Sequence, residues 1–356
     1  MWIEEIKINN FRNYKNQEIK LNKKINIFYG ENAQGKTNVI ESVFFCSIGK
    51  SFRTNKDREL INLNEENCNI KINFNKSDRD GKIRINIGNK KEIYINEIKI
   101  KKLSELLGNI NVVLFTPDDI NILKGGPQNR RKFLDIMISQ LRPKYMYIYT
   151  LYNKALEERN NYLKKIKTEN KKEDLLELWD QQLAEYGEII YKYRNEFIEK
   201  IKEKIKGIHY NITKNKEEIN IEYISDCIEK EKYLDLLKER RKLDIIKGYT
   251  TRGVHRDDFI ISINNLQVSI YGSQGQTRTS ILSLKLSELQ VIYDEIGENP
   301  ILLLDDFMSE LDENRRNNFL ENIKDTQVII TCTDKIILKD EEYSLFNVKD
   351  GQIYPK

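Results

Sequence analysis

Apolar and polar positions change rhythm several times along the chain. Residues 25–45, "INIFYGENAQGKTNVIESVFF", open on an alternating, β-rich run that ends at Tyr29. A glycine loop follows, and after it a helix-like stretch. Between residues 46 and 126, "IKINF", "KIRINIG" and "KEIYINEIKI" alternate with period 2, which predicts an antiparallel β-layer. "NVVLFTPDD" predicts a buried strand ending in a proline turn, and Gly125, Gly126 and Pro127 then break the chain. Beyond them Tyr145, Ile148, Tyr152, Ala155, Tyr162 and Ile166 recur at 3/4 spacing. A polar segment, "KTENKKED", leads to the same rhythm in Trp179, Leu183, Tyr186, Ile190, Tyr193 and Phe197. This is a heptad seam, and two such helices joined by a polar turn predict an antiparallel hairpin. A first helix of about 25 residues gives it a reach of about 37 Å. Late in the chain, "NPILLLDDFMSELDENRR" places four apolar residues after Pro300, the mark of a strand buried in a parallel sheet.

Composition narrows the class. The 356 residues suffice for a sizeable core and two domains. A formal charge of +4 says little about partners, so local clusters must carry that information. Cys46, Cys68, Cys227 and Cys332 form no CxxC pair, which argues against a metal site or disulfide framework and fits a reduced, cytoplasmic setting. "MWIEEIKINNF" carries acids at once and is not patterned as a signal peptide. The longest apolar runs are strand-sized, so no membrane span is expected.

Three segments carry chemistry. "GENAQGKT", residues 30–37, fits G-x-x-x-x-G-K-T in full. Gly30 and Gly35 permit the backbone angles that turn successive N–H groups inward, and the helix N-terminus adds its positive end. Lys36 reaches β/γ-phosphates, and the Thr37 hydroxyl ligates Mg²⁺. Asp305 and Asp306 emerge at the carboxyl end of the late strand, the edge where open α/β sheets hold ligands. Asp305 suits a Mg²⁺–water contact, and Asp306 is placed to orient or deprotonate an attacking water. The third segment, "YGSQGQTRTS", has the form of an anion-binding turn opening a helix, and equally of a simple N-cap with Ser or Thr as cap.

In this order the pieces resemble ABC-type ATPase heads of the SMC kind, and most closely the RecF family of bacterial recombination mediators. "GENAQGKTN", "GGPQNRRKFLD", "TRGVHRDDF", "SQGQTR", "LLLDDFMSELD" and "VIITCTD" carry the resemblance, from residue 30 to 334. It implies an α/β fold: a P-loop ATPase head with a mixed sheet and an antiparallel β-layer, and an inserted helical hairpin arm. The expected divisions are head 1–126, arm 127–247 and head 248–356. ATP and Mg²⁺ would be held by Gly30, Glu31, Asn32, Ala33, Gln34, Gly35, Lys36, Thr37 and Asn38, with Asp305 on the metal. A signature loop, Ser273, Gln274, Gly275 and Gln276, would complete the nucleotide site of a second copy. The helix after it, about 30 Å long against about 17 Å for the acidic strand, would carry the loop beyond the sheet edge. ATP-dependent homodimers would clamp duplex DNA near single-strand gaps, assisting RecA loading with RecO and RecR. Arg12, Arg53, Lys56 and Arg58, with the "NRRK" cluster, are the DNA-contact candidates by local charge. Asp306 stands where many ABC proteins have glutamate. "TCTD" stands where many have a switch histidine, leaving Thr331 or Thr333 for that contact, and "FTPDD" supplies no glutamine. These departures imply slow hydrolysis. The helical insert and the missing histidine argue against a transporter ATPase subunit, and the short arm against an SMC complex component.

Overall fold

The computed structural model describes residues 1–77, 79–169, 171–307, 319, 323, 325–335 and 342–356. The "SELD" segment, 309–312, lies outside them. Two compact units divide the chain, one of residues 1–119 with 288–356, the other of 120–287.

In the first unit the chain runs through β1 (Trp2–Phe11), β2 (Tyr14–Lys20), β3 (Ile25–Tyr29), α1 (Lys36–Ile48), β4 (Cys68–Lys76), β5 (Arg79–Ile87), β6 (Lys91–Ile95), β7 (Ile98–Lys99) and β8 (Val112–Phe115). The expected antiparallel layer is present and larger than its period-2 runs foretold. Its order is β2-β1-β4-β5-β6-β7, so the N-terminal hairpin supplies two strands. Alternation explains it: Ile70, Ile72 and Phe74 are buried along one face of β4, as are Ile83, Ile85 and Ile87 of β5.

The second unit holds α2 (Ile120–Lys124), α3 (Pro127–Leu141), α4 (Pro143–Glu169), α5 (Leu176–Thr213), β9 (Ile219–Ile224), α6 (Lys230–Lys247), β10 (Asp258–Ile263), β11 (Leu266–Gln267), α7 (Val268–Tyr271) and α8 (Gln274–Ile296), whose last turns return to the first unit. The hairpin of α4 and α5 is as expected, but α6 packs on both, so the insert is a bundle. The seam also departs from the apolar count. Arg159 takes the position between Ala155 and Leu163, and Asp180, Gly187 and Arg194 take those expected for Trp179, Tyr186 and Tyr193. The expected limits at 126/127 and 247/248 both fall inside this unit. Arg130 of α3 donates to the Ile122 and Gly125 carbonyls across the first limit, and beyond the second β10 runs antiparallel to β9, which ties residues 258–263 to the bundle.

Back in the first unit, β12 (Ile301–Asp305), β13 (Val328–Cys332), β14 (Tyr343–Lys349) and β15 (Gln352–Pro355) complete a sheet of order β15-β14-β3-β13-β12-β8. All its pairings are parallel except β14 with β15. β12 is buried along its whole length, as its apolar run predicts. Between the glycine-loop strand β3 and the acidic strand β12 lies only β13. Among the described residues, no helix is long and apolar enough to cross a membrane.

Candidate nucleotide site

The loop from Gly30 to Gly35 joins β3 to α1 and depends on both glycines. Gly30 has φ 156°, and a Cβ there would meet the Val348 carbonyl oxygen at 2.3 Å. Gly35 has φ 113°, and a Cβ would meet the Asn13 side chain at 2.5 Å. Ala33 also sits at positive φ, 65°. Lys36 opens α1 almost buried, and its ammonium donates to the carbonyls of Gly30 (2.7 Å) and Glu31 (2.9 Å). It therefore spans the mouth of the loop, where a phosphate would meet it.

Thr37, the next residue, donates its hydroxyl to Asp305 Oδ1 at 2.8 Å. Parallel register sets Thr331 of β13 opposite Asp305 of β12, and its hydroxyl donates to the same oxygen at 2.8 Å. Oδ2 receives from neither. Burial raises the Asp305 carboxyl above its usual range, against the two hydroxyls, which lower it. Asp306 then leaves the strand in the left-handed region, φ 48°, a conformation Asp tolerates better than most residues, and its N–H donates to Thr331 Oγ1 at 3.0 Å. Thr331 is thus fully buried and committed to both acids, whereas Thr333 is exposed with a 3.5 Å contact to Asp334.

The residues present fit Mg²⁺. Among the described residues no three His, Cys, Asp or Glu side chains cluster as a metal cage. Mg²⁺ does not need one: one or two oxygen ligands beside substrate phosphates suffice. A hydroxyl and a carboxylate 2.8 Å apart, beside a phosphate loop, are such a pair.

Sequence reasoning missed a set of residues that grip the loop from outside. Asn13 donates to the Gln34 carbonyl at 2.7 Å and accepts from Asn38 at 2.7 Å. Tyr14 donates to the Gly35 carbonyl at 2.8 Å, and the Asp350 N–H to Gln34 Oε1 at 2.6 Å. No sequence pattern marks Asn13 and Tyr14, which follow the positive-φ residue Arg12 (55°) at the turn between β1 and β2.

The expected DNA contacts divide. Arg12 is bidentate on the fully buried Glu41, at 2.6 and 2.9 Å. Arg53 donates to Asn38 at 2.8 Å and lies 3.3 Å from Glu41. Both serve the first turns of α1 in this structure. Lys56 is 80% exposed beside Glu59 and Arg58 is exposed, so these two present charge to solvent. In the second unit, Arg130 of the "NRRK" cluster is buried on Asp258, and Arg131 donates to the Asp257 carbonyl. Lys132 is exposed.

Within that same unit, Ser273 and Gln276 form a reciprocal capping box at the start of α8. The Gln276 N–H donates to Ser273 Oγ (3.2 Å), and the Ser273 N–H to Gln276 Oε1 (3.0 Å). Gln276 also donates to Glu217 at 3.0 Å. The N-cap role is therefore real; Gln274 and Gly275 form the exposed first turn between the box residues.

Comparison with known proteins gives a consistent result. The family described as RecF/RecN/SMC N terminal domain matches residues 2–353. "DNA replication and repair protein RecF" of Clostridium kluyveri is 49% identical over 363 residues, covering 99% of both chains. The protein of that name from Alkaliphilus oremlandii is 46% identical over 367 residues, covering 99% of this chain and 100% of the other. A solved structure of the recombination mediator protein RecF with ATP has a TM-score of 0.93 at 39% identity, covering 100% of this chain and 97% of that one. An Smc head domain from Pyrococcus furiosus, with a TM-score of 0.58 at 17% identity over 100% of this chain and 96% of that one, shares the fold.

Proposed function

The chain belongs to the RecF/RecN/SMC family, and on that premise we propose that it is an ATP-hydrolysing recombination mediator of the RecF type. The observation that carries the reading is the Thr37–Asp305 hydrogen bond of 2.8 Å beside the Lys36 loop. It joins the two halves of a phosphate-and-metal site 268 residues apart. The first unit is the ATPase head in this reading, and the second carries the arm and the signature loop.

Each residue then has a role. The backbone N–H groups of the loop cradle the β- and γ-phosphates, and Lys36 exchanges its two carbonyl partners for phosphate oxygens. Mg²⁺, held by Thr37 and through water by Asp305, would offset charge on those oxygens during transfer. Asp306 orients the attacking water. Thr331 holds both acids in place, which leaves Thr333 as the residue for the γ-phosphate contact. A second copy supplies Ser273, Gln274, Gly275 and Gln276 to close the open side of the nucleotide. ATP binding joins two heads across duplex DNA near single-strand gaps, and slow hydrolysis releases them. RecO and RecR are the expected partners in loading RecA in the cytoplasm.

Analytical ultracentrifugation with and without ATP and duplex DNA tests this. Wild-type protein should dimerise with ATP, more so on DNA, and Lys36→Ala should do neither. Duplex binding should need ATP and weaken steeply with salt, because phosphate contacts release counterions. A monomer under every condition, or a flat salt titration, overturns the clamp.

A further inference from the structure

The segment between α6 and β10, "GYTTRGVHRD", is held by a large set of buried polar groups in the second unit. Arg159, fully buried, donates to Thr250 Oγ1 at 2.8 Å, and Asn160 accepts from the Thr250 N–H at 2.7 Å. Asp244 accepts from both the N–H and the hydroxyl of Thr251. Arg194 donates to the Val254 carbonyl and Tyr233 to the Arg252 carbonyl, at 2.7 and 3.1 Å. His255 is bound at both nitrogens, to Tyr152 and to the Thr250 carbonyl. Gly253 has φ 135°, and a Cβ there would lie 2.0 Å from the Tyr233 hydroxyl. An irregular segment fixed so thoroughly displays its remaining side chains in one geometry.

Those side chains surround a pocket of about 300 Å³. Arg252 and Arg256 line it with Tyr249, Ile224, Ser225 and Asp226, over a floor formed by Asp257. The Arg256 guanidinium is exposed and lies over the Tyr249 ring at 5.4 Å. Arg252 pairs with Asp226 at 3.0 Å, but both are more than a third exposed, and such a pair is weak and readily exchanged. The floor acid is occupied: Tyr223 donates to Asp257, and Arg194 lies 3.5 Å from it. Tyr249 is 41% exposed and Ile224 49%, so the rim offers apolar area as well as charge.

We infer that this pocket binds one nucleotide unit of single-stranded nucleic acid, its phosphate between Arg252 and Arg256 and its base or sugar against Tyr249. Two guanidiniums suit a phosphate by fork geometry, and a stacked aromatic beside them suits a π-face of any sequence. An acidic peptide would use the arginines but would bring no ring to the exposed Tyr249. The choice of nucleic acid rests on the DNA-repair function proposed above, whereas the pocket is lined by none of the P-loop residues and needs no ATP.

Fluorescence anisotropy with a labelled oligo(dT), without nucleotide, tests it. Arg252→Ala with Arg256→Ala should weaken binding on the order of tenfold and lower the salt slope by roughly 0.7, one phosphate on a single strand. A control of equal charge loss, Lys154→Ala with Lys192→Ala, should do far less. Tyr249→Leu should weaken binding while leaving the salt slope unchanged. ATP-dependent duplex binding should survive the arginine changes and fail in Lys36→Ala, so a failure of the pocket and a failure of the head are read separately. The same oligo(dT) affinity in wild type and the double arginine variant overturns the inference. So does a polyglutamate peptide binding through the arginines where oligo(dT) does not.

Discussion

Asp305 and Asp306 are adjacent, yet one is buried in the strand and the other turns out of it. Asp306, proposed to orient water, should be needed for hydrolysis alone. Asp306→Asn should bind ATP normally and lose about 10²–10⁴ in turnover, read by phosphate release against nucleotide affinity. Unchanged turnover would reduce it to a capping acid. Asp305 is held in a buried setting that raises its carboxyl. A folded-state pKa above the unfolded value means that folding favours the protonated form. Whatever stability the acid contributes is present below the ordinary carboxylate range and is lost as pH rises through the raised value. Asp305→Asn keeps an acceptor for Thr37 and Thr331 and removes the charge. It should therefore raise the melting temperature at pH 7, with the gain shrinking as pH falls through the raised value and largely gone below about 4, an ordinary Asp pKa being about 3.9. Equal shifts at both pH values would show that the charge is not the cause. ATP hydrolysis should fall in the same variant, because the proposed metal contact loses its charge.

At the scale of elements, the α4–α5 seam rests on charges where apolar residues are usual. Arg159, Asp180 and Asp244 are all fully buried, and Arg159 bridges the two acids at 2.7 Å each. Removing one partner from such a set leaves uncompensated buried charge. Arg159→Ala should cost about 3–5 kcal/mol in urea unfolding, with nucleotide affinity unchanged. A loss below 1 kcal/mol would mean that water replaces the guanidinium without penalty. This seam also shows the limit of periodicity. Tyr145, Ile148, Tyr152 and Ala155 are legible because 3/4 spacing reports burial directly. Arg159 and Arg194 are not, because their partners include Asp244 and Asp257, 85 and 63 residues away, and only the fold brings them together. For the same reason α6 and the first hairpin, β1 and β2, escaped the pattern as parts of larger layers. The P-loop, by contrast, is written in consecutive residues, and the acidic strand in an apolar run ending in acids. Asn13 and Tyr14 act on the loop through a few side-chain hydrogen bonds, which leave no pattern at all.

For the whole molecule, the decisive question is whether one nucleotide site uses residues of two chains. The capping box shows that Ser273 and Gln276 serve their own helix, so the loop's form has a local explanation. Only a test between chains can separate the two roles. Ser273→Arg puts a bulky cation where a partner's γ-phosphate must approach. Ser273→Thr, as a control, keeps the cap. The arginine variant should bind ATP at its own P-loop but fail to dimerise, and losing the cap alone should cost only about 1 kcal/mol of stability. Lys36→Ala fails for the opposite reason, having a sound signature loop and a dead P-loop. In a mixture, the heterodimer contains one site with both defects and one with neither. The intact site should restore partial dimerisation or hydrolysis that neither variant shows alone. High protein concentration and duplex DNA favour detection, because one site must hold the pair. If loop and P-loop act within a single chain, mixing restores nothing. Absence of rescue, with wild-type and variant chains shown to exchange, would refute the shared site.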